Sequence, residues 1–226
     1  MAASKISSVH ELLIAEYGRP QWHPRAEPLS ELIGTILSQN TSDVNSSQAF
    51  GNLMTTFGSF EAIQDAPVEA IAQAIKSGGL AQVKAPRIKR ILQAIAEQAG
   101  GLNLDFLRGW DVARAKKWLL SLSGVGPKTA ACVLLFSLGK PALPVDTHVH
   151  RVSQRLGLIP PRVTAERAHQ LLEEMLAPAE VYPFHLGMIA HGRRICRARK
   201  PRCSNCVLRR HCDYYWRNLP TTGPVV

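Results

Sequence analysis

Nothing in the 226-residue sequence approaches the roughly 20 consecutive apolar residues that a membrane span requires. The N-terminal stretch MAASKISSVHELLIAEYG has no basic region followed by a continuous apolar segment, so no secretory signal is read there. No convincing period-two alternation marks a strand, and there is no internal repeat or low-complexity stretch. These absences leave an ordinary globular chain, expected in the cytoplasm (nucleoid-associated in a prokaryote), with no membrane partner. At 46% hydrophobic residues the chain can bury a substantial core as one large domain or two small ones.

Acidic residues are nearly missing from one segment. Residues 193–217 carry nine cationic side chains (Arg193, Arg194, Arg197, Arg199, Lys200, Arg202, Arg209, Arg210 and Arg217) against one acid, Asp213. This segment holds most of the formal charge of +10, and the remainder is nearly balanced. A localised basic patch points to a polyanion such as nucleic acid. A solvated, disordered basic tail would carry the same charge, but four of the five cysteines lie in the same segment and tie it down.

What is present reads as helix almost throughout. Apolar residues recur at helical spacing over Leu29, Leu32, Ile33, Ile36 and Leu37, over Ile88, Ile91, Leu92 and Ile95, and over Val149, Val152 and Leu156. Pro67 suits a first helical position, and Gly78-Gly79, Gly100-Gly101 and Gly139 each follow an apolar pattern that they would end. Pro141 and Pro144 suggest a lobe boundary near residue 140, and Thr164 suits the N-cap of a helix over 165–177. The first few residues and the tail 217–226 are expected to fray. The expectation is an all-α bundle.

Cys196, Cys203, Cys206 and Cys212 form C-x6-C-x2-C-x5-C, a spacing that favours metal binding over disulfides in an intracellular protein. Four thiolates suit tetrahedral zinc or a cubane iron-sulfur cluster, and the single C-x2-C knuckle leans toward the latter. Either would staple a segment too charged to fold by burial and hold the loop RARKPR, with Arg199 and Lys200, as a rigid phosphate-contacting protrusion. Cys132, on the apolar stretch ACVLL, reads as a core residue.

The stretch 121-SLSGVGPKTAACVL-134 reads as two helices, over 111–122 with Asp111 as N-cap and over 128–138, joined by a tight turn. Gly124, Val125 and Gly126 would bring backbone N–H groups close to a phosphate, which is a helix-hairpin-helix signal for contact with the DNA backbone. Lys128 stands at the helix N-terminus, where the dipole and any burial disfavour its ammonium and favour the nucleophilic free amine. The plainer alternative is that it only neutralises a phosphate. In 145-VDTHVHRV-152, Asp146 is an N-cap that could also relay a proton from Lys128. His148 and His150 are candidates for DNA contact or for helix packing.

Together, 36-ILSQNTSD-43, 79-GLAQVKA-85, 124-GVGPKTA-130, 145-VDTHVHRV-152, 191-HGRRIC-196 and the cysteine spacing resemble endonuclease III, the helix-hairpin-helix DNA glycosylases with an iron-sulfur cluster. The resemblance spans nearly the whole chain. It implies a bilobal all-α fold: a six-helix barrel over 28–140 containing the hairpin at about 111–138, and a discontinuous lobe from 1–27 and 141–226 with a [4Fe-4S] cluster in the loop 196–212. It implies a monomeric bifunctional DNA glycosylase and AP lyase of base excision repair. Such an enzyme acts on duplex DNA with damaged bases or abasic sites, here oxidised pyrimidines, with Lys128 as nucleophile and Asp146 as the essential carboxylate. Cys196, Cys203, Cys206 and Cys212 match the cluster ligands. Leu80 matches a residue that wedges into the base stack, and Asn40 falls where the bacterial prototype has a gap-filling glutamine. Two alternatives remain: a catalytically weak DNA-binding or damage-sensing paralogue on the same scaffold, and a zinc-stapled nucleic-acid-binding module.

Overall fold

The computed structural model describes residues 2–218, and among these residues every regular element is a helix. In chain order they are α1 (Ala2–Tyr17), α2 (Pro28–Leu37), α3 (Asp43–Phe57), α4 (Phe60–Asp65), α5 (Val68–Ala74), α6 (Ala81–Ala99) and α7 (Val112–Ser121). There follow α8 (Pro127–Cys132), α9 (Thr147–Leu156), α10 (Ala165–Glu173), α11 (Val181–Arg194) and α12 (Asp213–Arg217). No helix among them is long and apolar enough to cross a membrane.

The chain divides into two compact units, one running from His23 to Ala142 and the other combining the residues up to Trp22 with those from Leu143 onward. Helices α2–α8 form the first. Its core joins Leu32, Ile33, Ile36 and Leu37 of α2 with Ile88, Ile91, Leu92 and Ile95 of α6, all fully buried, along with Leu119 of α7 and Ala130 and Ala131 of α8. The helical period legible in the sequence is therefore the face these helices bury. Side-chain caps start the helices where short polar residues precede apolar ones: Ser42 Oγ accepts from Asn45 N–H, Ser59 Oγ from Ala62 N–H and Asp111 Oδ1 from Arg114 N–H.

Three boundaries differ from expectation for local reasons. Pro67 is the residue before α5, which opens at Val68. The helix expected over 128–138 stays α-helical only to Cys132 and then widens into a π-helical turn, Val133–Ser137, fully buried and closed by Lys140 N–H on Leu134 O at 2.8 Å. The helix expected over 165–177 ends at Glu173, because its last turn tightens to i→i−3 bonds ahead of Pro178 (Met175 N–H to Leu172 O, Leu176 N–H to Glu173 O).

Residues 23–27, expected with the N-terminal segment, pack into the first unit instead. Arg25 N–H donates to Phe136 O at 2.9 Å, its guanidinium lies 4.1 Å from the Phe136 ring centroid, and its Nε donates to the buried Glu31 at 2.8 Å. At the N-terminus α1 already includes Ala2, while residues 219–226 of the tail expected to fray lie outside the described residues.

The second unit packs α1 and α9 on α11. Val149, Val152 and Leu156 form the buried face of α9, and Ile6, Val9 and Leu13 that of α1. Asp146 and Thr164 cap α9 and α10, accepting from Val149 N–H at 2.8 Å and from Arg167 N–H at 3.3 Å.

Candidate functional site

In the first unit the hairpin runs from α7 into α8. Val125 is its anchor: the side chain is buried and its N–H donates inward to Leu122 O at 3.0 Å, while Gly124 and Gly126 on either side are exposed. Gly124 has φ +89, and a Cβ there would fall 2.6 Å from Arg87 Cδ, so the turn needs glycine for its conformation and for the side chain lying against it. Gly126 precedes α8, Pro127 takes the first helical position, and Lys128 follows half-buried. Behind Lys128, burial pushes the Cys132 thiol up to about 11, against the opposing pull of the Lys128 charge. Cys132 is a core residue, as expected.

Two loops of the same unit present Asn40 and Leu80. Asn40 is exposed with φ 55, and Leu80 is 54% exposed with φ 50, both left-handed conformations that non-glycine residues seldom adopt. Arg87 Nη1 donates to Gln39 Oε1 at 2.8 Å, and Gln39 Nε2 reaches Thr129 Oγ1, next to Lys128, at 3.5 Å. Lys84 is buried, and its ammonium donates to Leu37 O at 2.6 Å and Gly78 O at 2.9 Å. Burial lowers its pKa, with Arg87 adding to the effect. Sequence reading passed over Gln39, Lys84 and Arg87. Lys84 lies within 79-GLAQVKA-85, but a lone cation on an amphipathic helix reads as solvated.

In the second unit Asp146 is half-buried and fixed by its cap. His148 packs on α11, since a Cβ at Gly192 would sit 3.0 Å from its Cβ and Nδ1, and Arg151 Nη2 lies 3.1 Å from its Nδ1. His150 Nε2 meets Val163 O at 2.9 Å, a packing role.

The four cysteines line one cavity, together with Arg155, His191, Tyr214 and Tyr215. They surround it rather than converge: among the described residues no group of three or more His, Cys, Asp or Glu is placed to hold a single metal ion. Burial pushes Cys206 up to about 11 and raises Cys212, and the neighbouring thiols add to both shifts. His191 Nε2 lies 3.4 Å from Cys206 Sγ and its Nδ1 lies 3.0 Å from Tyr17 Oη, while burial drives the His191 pKa down to about 4. Arg155 holds the basic loop, donating to Cys196 Sγ at 3.4 Å, Arg197 O at 2.7 Å and Ala198 O at 3.0 Å. Arg199 and Lys200 are exposed on that loop. The hairpin, Lys128, Asn40 and Leu80 thus belong to one unit, and Asp146, His148 and the cysteine loop to the other.

A family model described as HhH-GPD superfamily base excision DNA repair protein matches residues 33–178, a span that includes both Lys128 and Asp146. The chain is 38% identical over 199 residues to endonuclease III of Thermotoga maritima, covering 88% of each sequence. It is 33% identical over 190 residues to endonuclease III of Sulfolobus acidocaldarius, covering 83% of this chain and 82% of the other. Among solved structures, a non-covalent endonuclease III–DNA complex matches with a TM-score of 0.82 at 28% identity, covering 95% of this chain and 97% of that one. A trapped endonuclease III–DNA covalent intermediate matches with a TM-score of 0.82 at 27% identity, with the same coverage.

Proposed function

The chain belongs to the endonuclease III family within the HhH-GPD superfamily of base excision DNA repair proteins, and from that membership we propose how its own residues carry the reaction. It is a bifunctional DNA glycosylase and AP lyase that acts on duplex DNA. Gly124 and Gly126 meet a phosphate, while Arg199 and Lys200 add contacts that position the duplex without reading its sequence. The target nucleotide leaves the stack at a cost of a few kcal/mol, least for a damaged base. Oxidised, ring-saturated pyrimidines are the substrate class we assign, as the resemblance to endonuclease III, with Lys128 as nucleophile, implies.

The Lys128 amine attacks C1′ as the bond from C1′ to the base breaks. Asp146 takes the proton released from the amine and stabilises positive charge at the sugar. The base leaves with the bonding pair and takes a proton from water; the C1′–O4′ bond then opens, O4′ receiving the proton held by Asp146, and the resulting imine between Lys128 and C1′ acidifies the C2′ hydrogen. Loss of that proton expels the 3′ phosphate and cuts the strand 3′ to the site.

A [4Fe-4S] cluster is the group we assign to Cys196, Cys203, Cys206 and Cys212, since four thiols, three half-buried and Cys212 buried, around one cavity suit a group larger than one ion. When bound it supplies a covalent staple for the basic loop, which Arg155 and the Arg202 N–H to Ile195 O bond at 3.0 Å already shape. The protein acts as a cytoplasmic monomer.

The observation that carries this reading is Lys128 at the second position of α8, directly after the exposed glycine turn, in a chain similar to one trapped covalently on DNA. Borohydride trapping on a duplex with an abasic site is expected to give a covalent protein–DNA adduct that Lys128→Ala abolishes. No adduct with the intact protein would overturn the lyase assignment.

A further inference from the structure

The chain segments that lead into Asn40 and Leu80 end on the same ammonium. Lys84 sits in the first turn of α6, 2% exposed, and donates both to Leu37 O, the last carbonyl of α2, and to Gly78 O. Asn40 follows the first carbonyl by three residues and Leu80 follows the second by two, and both adopt positive φ with their side chains outward. A buried cation bonded to two neutral carbonyls is a poor device for stability alone, because an apolar residue would fill a helix face without desolvating a charge. What the cation adds is geometry: two charge-assisted bonds that fix two loops to one point. Arg87, three residues further along α6, extends the arrangement by holding Gln39 and lying against Gly124 of the hairpin. Left-handed backbone at a non-glycine residue is sterically costly and persists only where its surroundings over-determine it.

We propose that Lys84 is a positioning residue for base extrusion: its ammonium clamps the chain ahead of Asn40 and ahead of Leu80, so that the two side chains meet the duplex as one rigid probe. This rests on the glycosylase reading above. The lysine touches neither base nor sugar, so its contribution is confined to the step in which a stacked nucleotide is displaced. A sugar that is already unstacked does not need the probe.

The test is single-turnover borohydride trapping on two substrates, a duplex carrying a ring-saturated pyrimidine and a single strand carrying an abasic site. Lys84→Met keeps the length and removes the charge. It is expected to slow trapping on the duplex about tenfold or more, a loss consistent with small misplacement of a working group, and to leave the single strand within about twofold. In a Leu80→Ala background the same substitution adds less than about twofold, since a clamp without its probe has nothing to position. Gly78→Ala is the independent arm: its methyl would fall 2.9 Å from Ala49 Cβ, so it displaces the Gly78 carbonyl while leaving Lys84 in place, and it gives the same duplex-selective loss even if Lys84→Met does not fold. Equal slowing on both substrates, or full additivity with Leu80→Ala, overturns the proposal. An intact protein that forms no adduct on either substrate removes the glycosylase reading as well.

Discussion

A carboxylate that caps a helix is held still, and Asp146 is held by Val149 N–H at 2.8 Å through one oxygen. Asparagine caps about as well as aspartate, so Asp146→Asn preserves the bond to Val149 and removes only the charge and the proton-accepting oxygen. Its melting temperature is expected to stay close to that of the parent, and its affinity for duplex DNA to change little. Base release under single-turnover conditions falls by about 10² or more, the typical contribution of a positioned acid or base. Comparable losses in binding and in base release would instead make Asp146 a structural cap with no part in the chemistry.

Helix α9 shows what an element does that its sequence does not display. Its apolar stripe, Val149, Val152 and Leu156, was legible because burial selects side chains at helical period. The grouping of the four cysteines and the glycine turn were legible because close cysteine spacing is rare and a tight turn restricts residue type. Arg151 and Arg155 were not legible. A cation on a polar helix face reads as solvated, and their partners lie about 40 residues further along the chain, at Gly192 O, Cys196 O, Arg197 O and Ala198 O. Arg155 also stacks 4.6 Å from the Tyr214 ring centroid, so it ties the basic loop to α12 as well. Arg155→Ala strips the loop of these bonds and is expected to lower stability by about 2 kcal/mol, the scale of one or two hydrogen bonds to a charged donor. Limited proteolysis with trypsin checks this directly: cleavage at 197–202 accelerates in the variant, whereas an unchanged rate would show that the backbone bonds alone hold the loop.

Across the whole molecule the histidines are unevenly shared. The unit from His23 to Ala142 contains only the exposed His23, whereas the other unit buries His10, His169, His185 and His191. Burial lowers the pKa of His10, outweighing the opposing pull of Glu180, and drives that of His191 down to about 4. No hydrogen-bond partner meets either ring nitrogen of His10 among the described residues. Both rings are held neutral in the folded state and take up a proton more readily once unfolded, so their contribution is fully present above the unfolded value of about 6.5 and is lost as pH falls below it. For His191 the loss reaches about 1.4 kcal/mol per pH unit while only the unfolded chain is protonated, a window that extends down to about pH 4, and His10 adds a loss of the same sign. Acid therefore weakens one unit and spares the other. Hydrogen exchange followed by mass spectrometry at pH 7 and pH 5, corrected for the intrinsic pH dependence of exchange, is expected to show protection falling in α1, α9 and α11 while α2, α6 and α7 keep theirs. Uniform loss across both units would mean that they unfold as a single cooperative block and that the buried histidines do not set where acid opens the chain.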